Sequence, residues 1–122
     1  MEAKELLEKY PKVELLLREW WNEKVKNAID TADLSDEYKE TIKNIKVDNV
    51  QIERTIEGNP HTLFEFFDEN KIHIGISTYI ISGSIAFRTK IGDIDSNKDF
   101  RTRKGAERDI INEAFEILEE KL

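Results

Sequence analysis

The spacing of apolar residues predicts helices over the first third of the chain. Residues 2–9 (EAKELLEK) form a short lead-in helix, and Pro11 suits the first turn of a longer one, where a backbone N–H has no partner in any case. The longer helix has one broad apolar face, formed by Val13, Leu16, Leu17, Trp20, Trp21 and Ala28. The segment NAIDTADLSD breaks this period. Ser35 can cap a further helix, whose apolar stripe is Tyr38, Ile42 and Ile45.

The middle of the chain, residues 47–70, fits two interpretations. VQIERTI and TLFEFF both alternate as strands do, which makes residues 61–68 a candidate third strand. The same segments also fit helices. Gly58 is a suitable helix end, Asn59-Pro60 is a suitable helix start, and the apolar face would hold Leu63, Phe64 and Phe67. We favour the helices, because the cap and proline positions agree with the helical spacing.

The last part of the chain gives the clearest pattern. Residues 71–81 alternate and are rich in β-branched side chains, Ser82-Gly83 supplies a turn, and residues 84–91 return as a second strand. Residues 92–99 (GDIDSNKD) are predicted to be a polar loop, and residues 102–122 a long amphipathic helix. The sequence therefore predicts one α+β domain over residues 1–122, with N-terminal helices and an antiparallel hairpin (71–91) packed against the C-terminal helix.

The composition limits the cellular compartments in which this domain is expected. The chain has 122 residues and no cysteine, which excludes disulfides, thiol nucleophiles and cysteine-based metal sites and suits a reducing compartment. The first residues, MEAKELLEKY, carry no apolar signal-peptide core. The longest apolar stretches are far shorter than the roughly 20 residues of a membrane span. We therefore expect a cytoplasmic protein without a membrane partner.

The negative charge is concentrated in the middle of the chain. With 19 basic and 26 acidic residues the formal charge is 19 − 26 = −7, and residues 29–70 alone hold 4 basic and 11 acidic residues, also −7. The segment DTADLSDEYKE (30–40) makes Asp33, Asp36, Glu37 and Glu40 candidate binding residues for a basic partner, or an ordinary solvated helix start. Trp21 is a further candidate, because one of two adjacent helical tryptophans can stay exposed as an anchor.

Catalytic and metal-binding patterns are weak. His61 and His73 lie twelve positions apart on different predicted elements, and an active site would have to combine one of them with a carboxylate such as Glu65 or Asp68. Residues 93–97 have the D-x-D-x-N spacing that opens a calcium loop, but Lys98 replaces the turn glycine and Lys104 the closing glutamate. We expect no enzyme activity, no cofactor and no metal site.

A basic cluster at the start of the C-terminal helix is the strongest local anomaly. It contains Arg101, Arg103, Lys104 and Arg108, and cations at a helix N-terminus oppose the helix dipole. Residues 102–106 (TRKGA) resemble the closing helix of double-stranded-RNA-binding domains, which implies phosphate binding there. The resemblance covers about 15 residues, Glu107 departs from it, and the preceding order is not clearly three strands. The alternatives are anion or nucleic-acid binding, which the acidity of the chain disfavours, and internal neutralisation by nearby aspartates.

Three segments resemble short uncharacterised proteins encoded by phages and prophages of gut Bacteroidetes-type bacteria. They are EKYPKVELLLREWW, GNPHTLFEFFDENKIHIGI and TRKGAERDIINEAFEIL. The resemblance implies a mobile-element origin and transfers no functional residue. Our leading hypothesis is a non-enzymatic protein that binds a host protein. A homodimer is a further expectation, because a small sheet leaves open edges.

Overall fold

The computed structural model describes residues 2–42 and 48–122. The helices are α1 (Ala3–Lys9), α2 (Pro11–Thr31), α3 (Asp36–Ile42), α4 (Asn49–Gly58), α5 (His61–Glu69) and α6 (Arg103–Lys121). The strands are β1 (Ile74–Ile81), β2 (Ser84–Ile91) and β3 (Ile94–Phe100), which form an antiparallel sheet in the order β1-β2-β3. The sheet packs against α6, so the α+β class predicted from the sequence is confirmed.

The N-terminal helices form where the apolar spacing predicts them. Pro11 is the first residue of α2, and Val13 and Leu17 are fully buried on its inner face. Ala28 was predicted on that face but is exposed, because the helix extends beyond the core at this end. Tyr38 was predicted in the stripe of α3 and is also exposed, since this short helix buries no described side chain. Ile45, predicted in the same stripe, lies outside the described residues.

The helical interpretation of the middle segment is confirmed, and a strand at 61–68 is wrong. Asp48 begins α4 with a capping box, in which its carboxylate accepts from the Gln51 N–H while the Gln51 side chain accepts from the Asp48 N–H. In α5 the buried residues are Leu63, Phe66 and Phe67, with Phe64 only partly buried. Helical spacing brings these three residues to one face, whereas a strand would place Phe66 opposite the other two.

The hairpin forms around the predicted turn but starts later than residue 71. Lys71 adopts a φ of 65° and follows the end of α5, so that β1 begins at Ile74. Ser82 and Gly83 have φ values of 51° and 80°. Positive φ at both central residues defines the two-residue turn that matches the twist of a hairpin. The register pairs Ile81 with Ser84 and Ile74 with Ile91.

The prediction of a loop at 92–99 is wrong, because residues 94–100 form the third strand, β3. This strand pairs with β2 through backbone hydrogen bonds, which need no apolar side chains. It is polar because it lies at an edge, and only Ser96 and Phe100 are partly buried. Asp95 and Asn97 of the calcium-like spacing are therefore strand residues, and the Asp95 carboxylate accepts from the Asn97 N–H at 3.1 Å.

One cluster of buried side chains joins helices from both ends of the chain. It includes Leu6, Leu17, Ile52, Phe67 and Phe115, which come from α1, α2, α4, α5 and α6 respectively. Phe67 and Phe115 meet edge to face with ring centroids 5.5 Å apart. Among the described residues, α3 and β3 contribute no side chain to this cluster, and Tyr38 of α3 and Ile94 of β3 are exposed apolar residues.

Candidate functional site

The acidic candidates lie together on α3 and the turn before it. Ser35 caps α3 as predicted, with its hydroxyl accepting from the Tyr38 N–H at 3.2 Å. Asp33, Asp36, Glu37 and Glu40 are all exposed. Asp36 and Glu37 occupy the first turn, where the helix dipole favours carboxylates. This part of the chain therefore presents negative charge to solvent.

Two apolar side chains accompany these carboxylates. Leu34 is 39% exposed and Tyr38 is 53% exposed. We call the six residues Asp33, Leu34, Asp36, Glu37, Tyr38 and Glu40 the acidic surface. The sequence pattern missed Leu34 and Tyr38 as surface residues.

One cation of the basic cluster, Arg103, is paired with a glutamate, while the nearby aspartates Asp99 and Asp109 pair with Arg88 and Lys98, which lie outside the cluster. Arg103 donates from Nε to a Glu107 oxygen at 3.0 Å, and Lys98 Nζ lies 3.6 Å from Asp109 Oδ2. Nearby, Arg88 donates to Asp99 at 2.9 and 3.0 Å. Hydrogen bonding to Asp99 raises the pKa of Arg88 above its usual value. Arg101, Lys104 and Arg108 form no ion pair within the described residues.

These three cations do not share one environment. Arg108 lines a cavity of about 500 Å³ together with Glu2, Glu5 and Glu57, above an apolar floor that includes Ile111. Its charge faces a negative rim, which would repel a phosphate. Arg101 and Lys104 are exposed and do not line this cavity, although Lys104 lies one turn before Arg108 on the same helix. Thr102 caps the helix by accepting from the Gly105 N–H at 3.0 Å. Arg101 and Lys104 are therefore the cations available to an anion.

The first residue of α5 lies close to the first turns of α6. His61 Nε2 lies 3.8 Å from Glu107 Oε1, the oxygen that also accepts from Arg103. Glu107, the carboxylate that interrupts the basic sequence, is buried. It pairs with Arg103 one turn earlier on the helix. The N-terminus of α6 adds its positive dipole end to the charge of Lys104.

Trp21 is half-buried against the core, like its neighbour Trp20. Trp20 packs edge to face on Phe66 with centroids 5.4 Å apart, and its indole N–H donates to Glu69. Trp21 meets Trp20 edge to face at 6.2 Å. Trp20 therefore helps to dock α2 on α5, and Trp21, which packs on Trp20, presents only part of its ring to a partner.

The two histidines lie at opposite ends of α5. Their side chains are 61% and 67% exposed for His61 and His73, and His73 Nδ1 is 3.0 Å from Asp68 Oδ1. Each histidine thus has a carboxylate neighbour, but the two do not share a cleft. Among residues 2–42 and 48–122, no group of three or more histidine, aspartate or glutamate side chains is arranged to hold a metal ion. None of the described helices is long and apolar enough to cross a membrane.

Comparison of the chain with protein-family models, curated proteins and solved structures finds no match.

Proposed function

We propose that this protein binds a positively charged protein partner through its acidic surface and does not catalyse a reaction. The observation that carries the proposal is the build of α3, which buries none of its side chains and exposes Tyr38 among carboxylates. Ordering residues 36–42, none of which belongs to the described core cluster, has a cost in chain entropy. Binding a partner would account for that cost.

The composition of the acidic surface fits recognition of a basic protein. Carboxylates steer a cationic partner into place and set specificity, and tyrosine supplies contact area at the centre of many interfaces. The whole formal charge of −7 can be assigned to residues 29–70, the part of the chain that contains this surface. The resemblance to phage and prophage proteins adds that the partner is a host protein.

Charge reversal tests this proposal. The variant with Asp33, Asp36, Glu37 and Glu40 replaced by lysine should lose its partners in a quantitative pull-down from a bacterial host extract. The matched control replaces Glu8, Glu19, Glu116 and Glu120, which are equally exposed but lie elsewhere. Both variants have the same formal charge, −7 + 8 = +1. An unchanged set of partners in the α3 variant, or equal loss in both variants, contradicts the proposal.

Tyr38→Ala gives a second test that leaves the charge unchanged. Truncating a central interface tyrosine weakens binding by about tenfold or more. Circular dichroism should show an unchanged fold, because the Tyr38 ring packs on no buried residue of α3. Full binding by this variant would leave only the carboxylates as determinants and would remove Tyr38 from the proposed surface.

A second candidate function is binding of duplex nucleic acid at the start of α6. Two observations support it: three strands precede this helix, as in the domains that its first residues resemble, and α5 begins beside it. Replacing Arg101 and Lys104 by glutamine should abolish binding of duplex RNA or DNA, while the same change at Lys26 and Lys121 should not. Binding must be strongest at low salt, so no detectable binding there removes this candidate.

A further inference from the structure

The outer edge of β1 is open. The two-residue turn makes Ile81 and Ser84 a hydrogen-bonded pair, and such pairs alternate along an antiparallel ladder. The backbone N–H and C=O groups of Ile74, Ile76, Thr78 and Ile80 therefore point away from β2. No residue within 2–42 or 48–122 forms a backbone hydrogen bond with these groups from outside the sheet. Unpaired strand edges of this kind are templates for another strand.

The two edges of the sheet differ in how they are protected. On β3, residues 96–98 lie opposite Thr89 alone as a bulge, and Asn97 has a φ of 58°. The same strand carries Asp95, Lys98 and Asp99. Bulges and charges are the usual features that prevent an edge from pairing. The sequence of β1, IGISTYII, contains neither charge nor proline, and its register with β2 is regular.

We infer that β1 pairs antiparallel with β1 of a second copy of the chain, joining two three-stranded sheets into one of six strands. A second copy fits because the outward residues are symmetric about Thr78, with Ile76 and Ile80 two positions to either side. A two-fold axis at Thr78 sets Ile80 of each copy beside Ile76 of the other. With this axis, the outward-pointing backbone N–H and C=O groups of β1 form the same hydrogen bonds in both copies.

The charge and the exposure of the residues in β1 also favour a second copy of the chain as its partner. The chain holds 19 + 26 = 45 charged residues and none of them is in β1, so the contact brings no like charges together. The side chain of Ile80 is 76% exposed, among the most exposed of the large apolar residues, and pairing would cover it. Because two acidic chains repel at long range, added salt should strengthen the dimer. Salt should weaken binding of a basic partner by the acidic surface, so the two associations are distinguishable.

Molar mass in solution tests the inference. Sedimentation equilibrium of the full chain at tens to hundreds of micromolar should give twice the chain mass of 14.3 kDa. Ile80→Lys should shift the equilibrium toward monomer by at least tenfold. The matched control is Ile94→Lys on β3, where the side chain is 75% exposed, and it should remain dimeric. A monomeric wild-type chain, or equal behaviour of the two variants, overturns the inference.

A single introduced cysteine tests the register, because the chain has none of its own. Thr78→Cys should form a disulfide-linked dimer on mild oxidation, since Cα atoms of a hydrogen-bonded pair are about 5.5 Å apart. Ser77→Cys should not, because its counterpart lies farther away than the ~7 Å that a disulfide can span. Cross-linking by neither variant, or by Ser77→Cys alone, overturns antiparallel pairing about Thr78.

Discussion

At the scale of single residues, Glu119 supplies the cap that α2 lacks. Tyr10 precedes α2 and its side chain forms no capping hydrogen bond. The two carboxylate oxygens of Glu119 accept instead from the N–H groups of Lys12 at 3.2 Å and Val13 at 2.8 Å. A carboxylate at a helix N-terminus also interacts favourably with the dipole. One side chain therefore ties the end of α6 to the start of α2.

Glu119→Ala should lower the free energy of unfolding by about 1 kcal/mol, the usual effect of losing an N-cap. Urea denaturation followed by circular dichroism measures it. Glu120→Ala is the control, because Glu120 is exposed and forms no hydrogen bond with a described side chain or backbone group. Equal stability of the two variants would show that the Glu119 contacts contribute nothing.

Tyr79 has one of the two buried side-chain polar atoms that lack a hydrogen-bond partner among the described residues; the other is Asp109 Oδ2. In Tyr79 this atom is the hydroxyl oxygen, and the Arg88 guanidinium lies over the Tyr79 ring at 4.8 Å. Loss of hydration raises the pKa of Tyr79 above its usual value of 10.0, and Arg88 opposes this shift. The neutral phenol is thus favoured in the folded state.

Tyr79→Phe should leave stability at neutral pH unchanged or higher, because it removes an unpaired buried hydroxyl. A raised pKa contributes stability that is present below pH 10.0 and is lost as the pH rises through the folded-state value. The variant should therefore lose less stability than the wild type as the pH rises above 10.0, as measured by urea midpoints. A marked loss of stability at pH 7 would indicate a hydrogen bond to the hydroxyl, for example through water.

At the scale of elements, α5 shows how helical spacing decides which phenylalanines are buried. Phe66 and Phe67 are fully buried, whereas Phe64 is partly exposed and meets the His61 ring at 5.4 Å. Trp20 packs on Phe66, and Phe115 packs on Phe67, so the inner face of α5 links α2 to α6. A strand at the same position would pair Phe64 with Phe66 on one face.

Phe67→Ala should therefore lower the free energy of unfolding by about 3–5 kcal/mol, and Phe64→Ala by only about 1 kcal/mol. Chemical denaturation of the two variants measures the difference. Equal large losses for Phe64→Ala and Phe66→Ala, with a small loss for Phe67→Ala, would be the result expected of a strand.

The helices were predictable because their apolar spacing and caps agree, as at Pro11 and Ser35. The strand β3 was not, because Asp95, Lys98 and Asp99 give it the composition of a loop, and its pairing with β2 depends on the backbone. For the candidate sites, the acidic residues and the basic cluster were visible in the sequence. The separate surroundings of Arg108 and Lys104 were not, because the cavity beside Arg108 is formed with α1 and α4, distant in sequence.

At the scale of the whole molecule, the buried cluster is continuous from α1 to α6. Leu6, Ile56 and Ile111 belong to it although they lie 50 and 55 positions apart in the sequence. A single continuous core predicts that secondary structure and core packing are lost together. Residues 1–122 should therefore unfold as one domain.

Urea unfolding followed by tryptophan fluorescence and by far-ultraviolet circular dichroism should give coincident curves. Trp20 and Trp21 report on the junction of α2 and α5, while dichroism reports on all helices. The same midpoint and the same slope are expected from both probes. Two separated transitions would divide the chain into more than one domain.

The cap that Glu119 provides for α2 has a consequence for how the chain is made. Ribosomal synthesis proceeds from the N-terminus, and 107 residues separate Lys12 from Glu119. At the usual 5–20 residues per second, α2 waits roughly 5–20 s for its capping group and for the helix that covers Leu6 and Leu17. During that interval the hairpin can close by itself, because its turn is short, but the N-terminal helices cannot complete their core. The nascent chain is therefore most vulnerable to aggregation and proteolysis until the last two turns of α6 leave the ribosome.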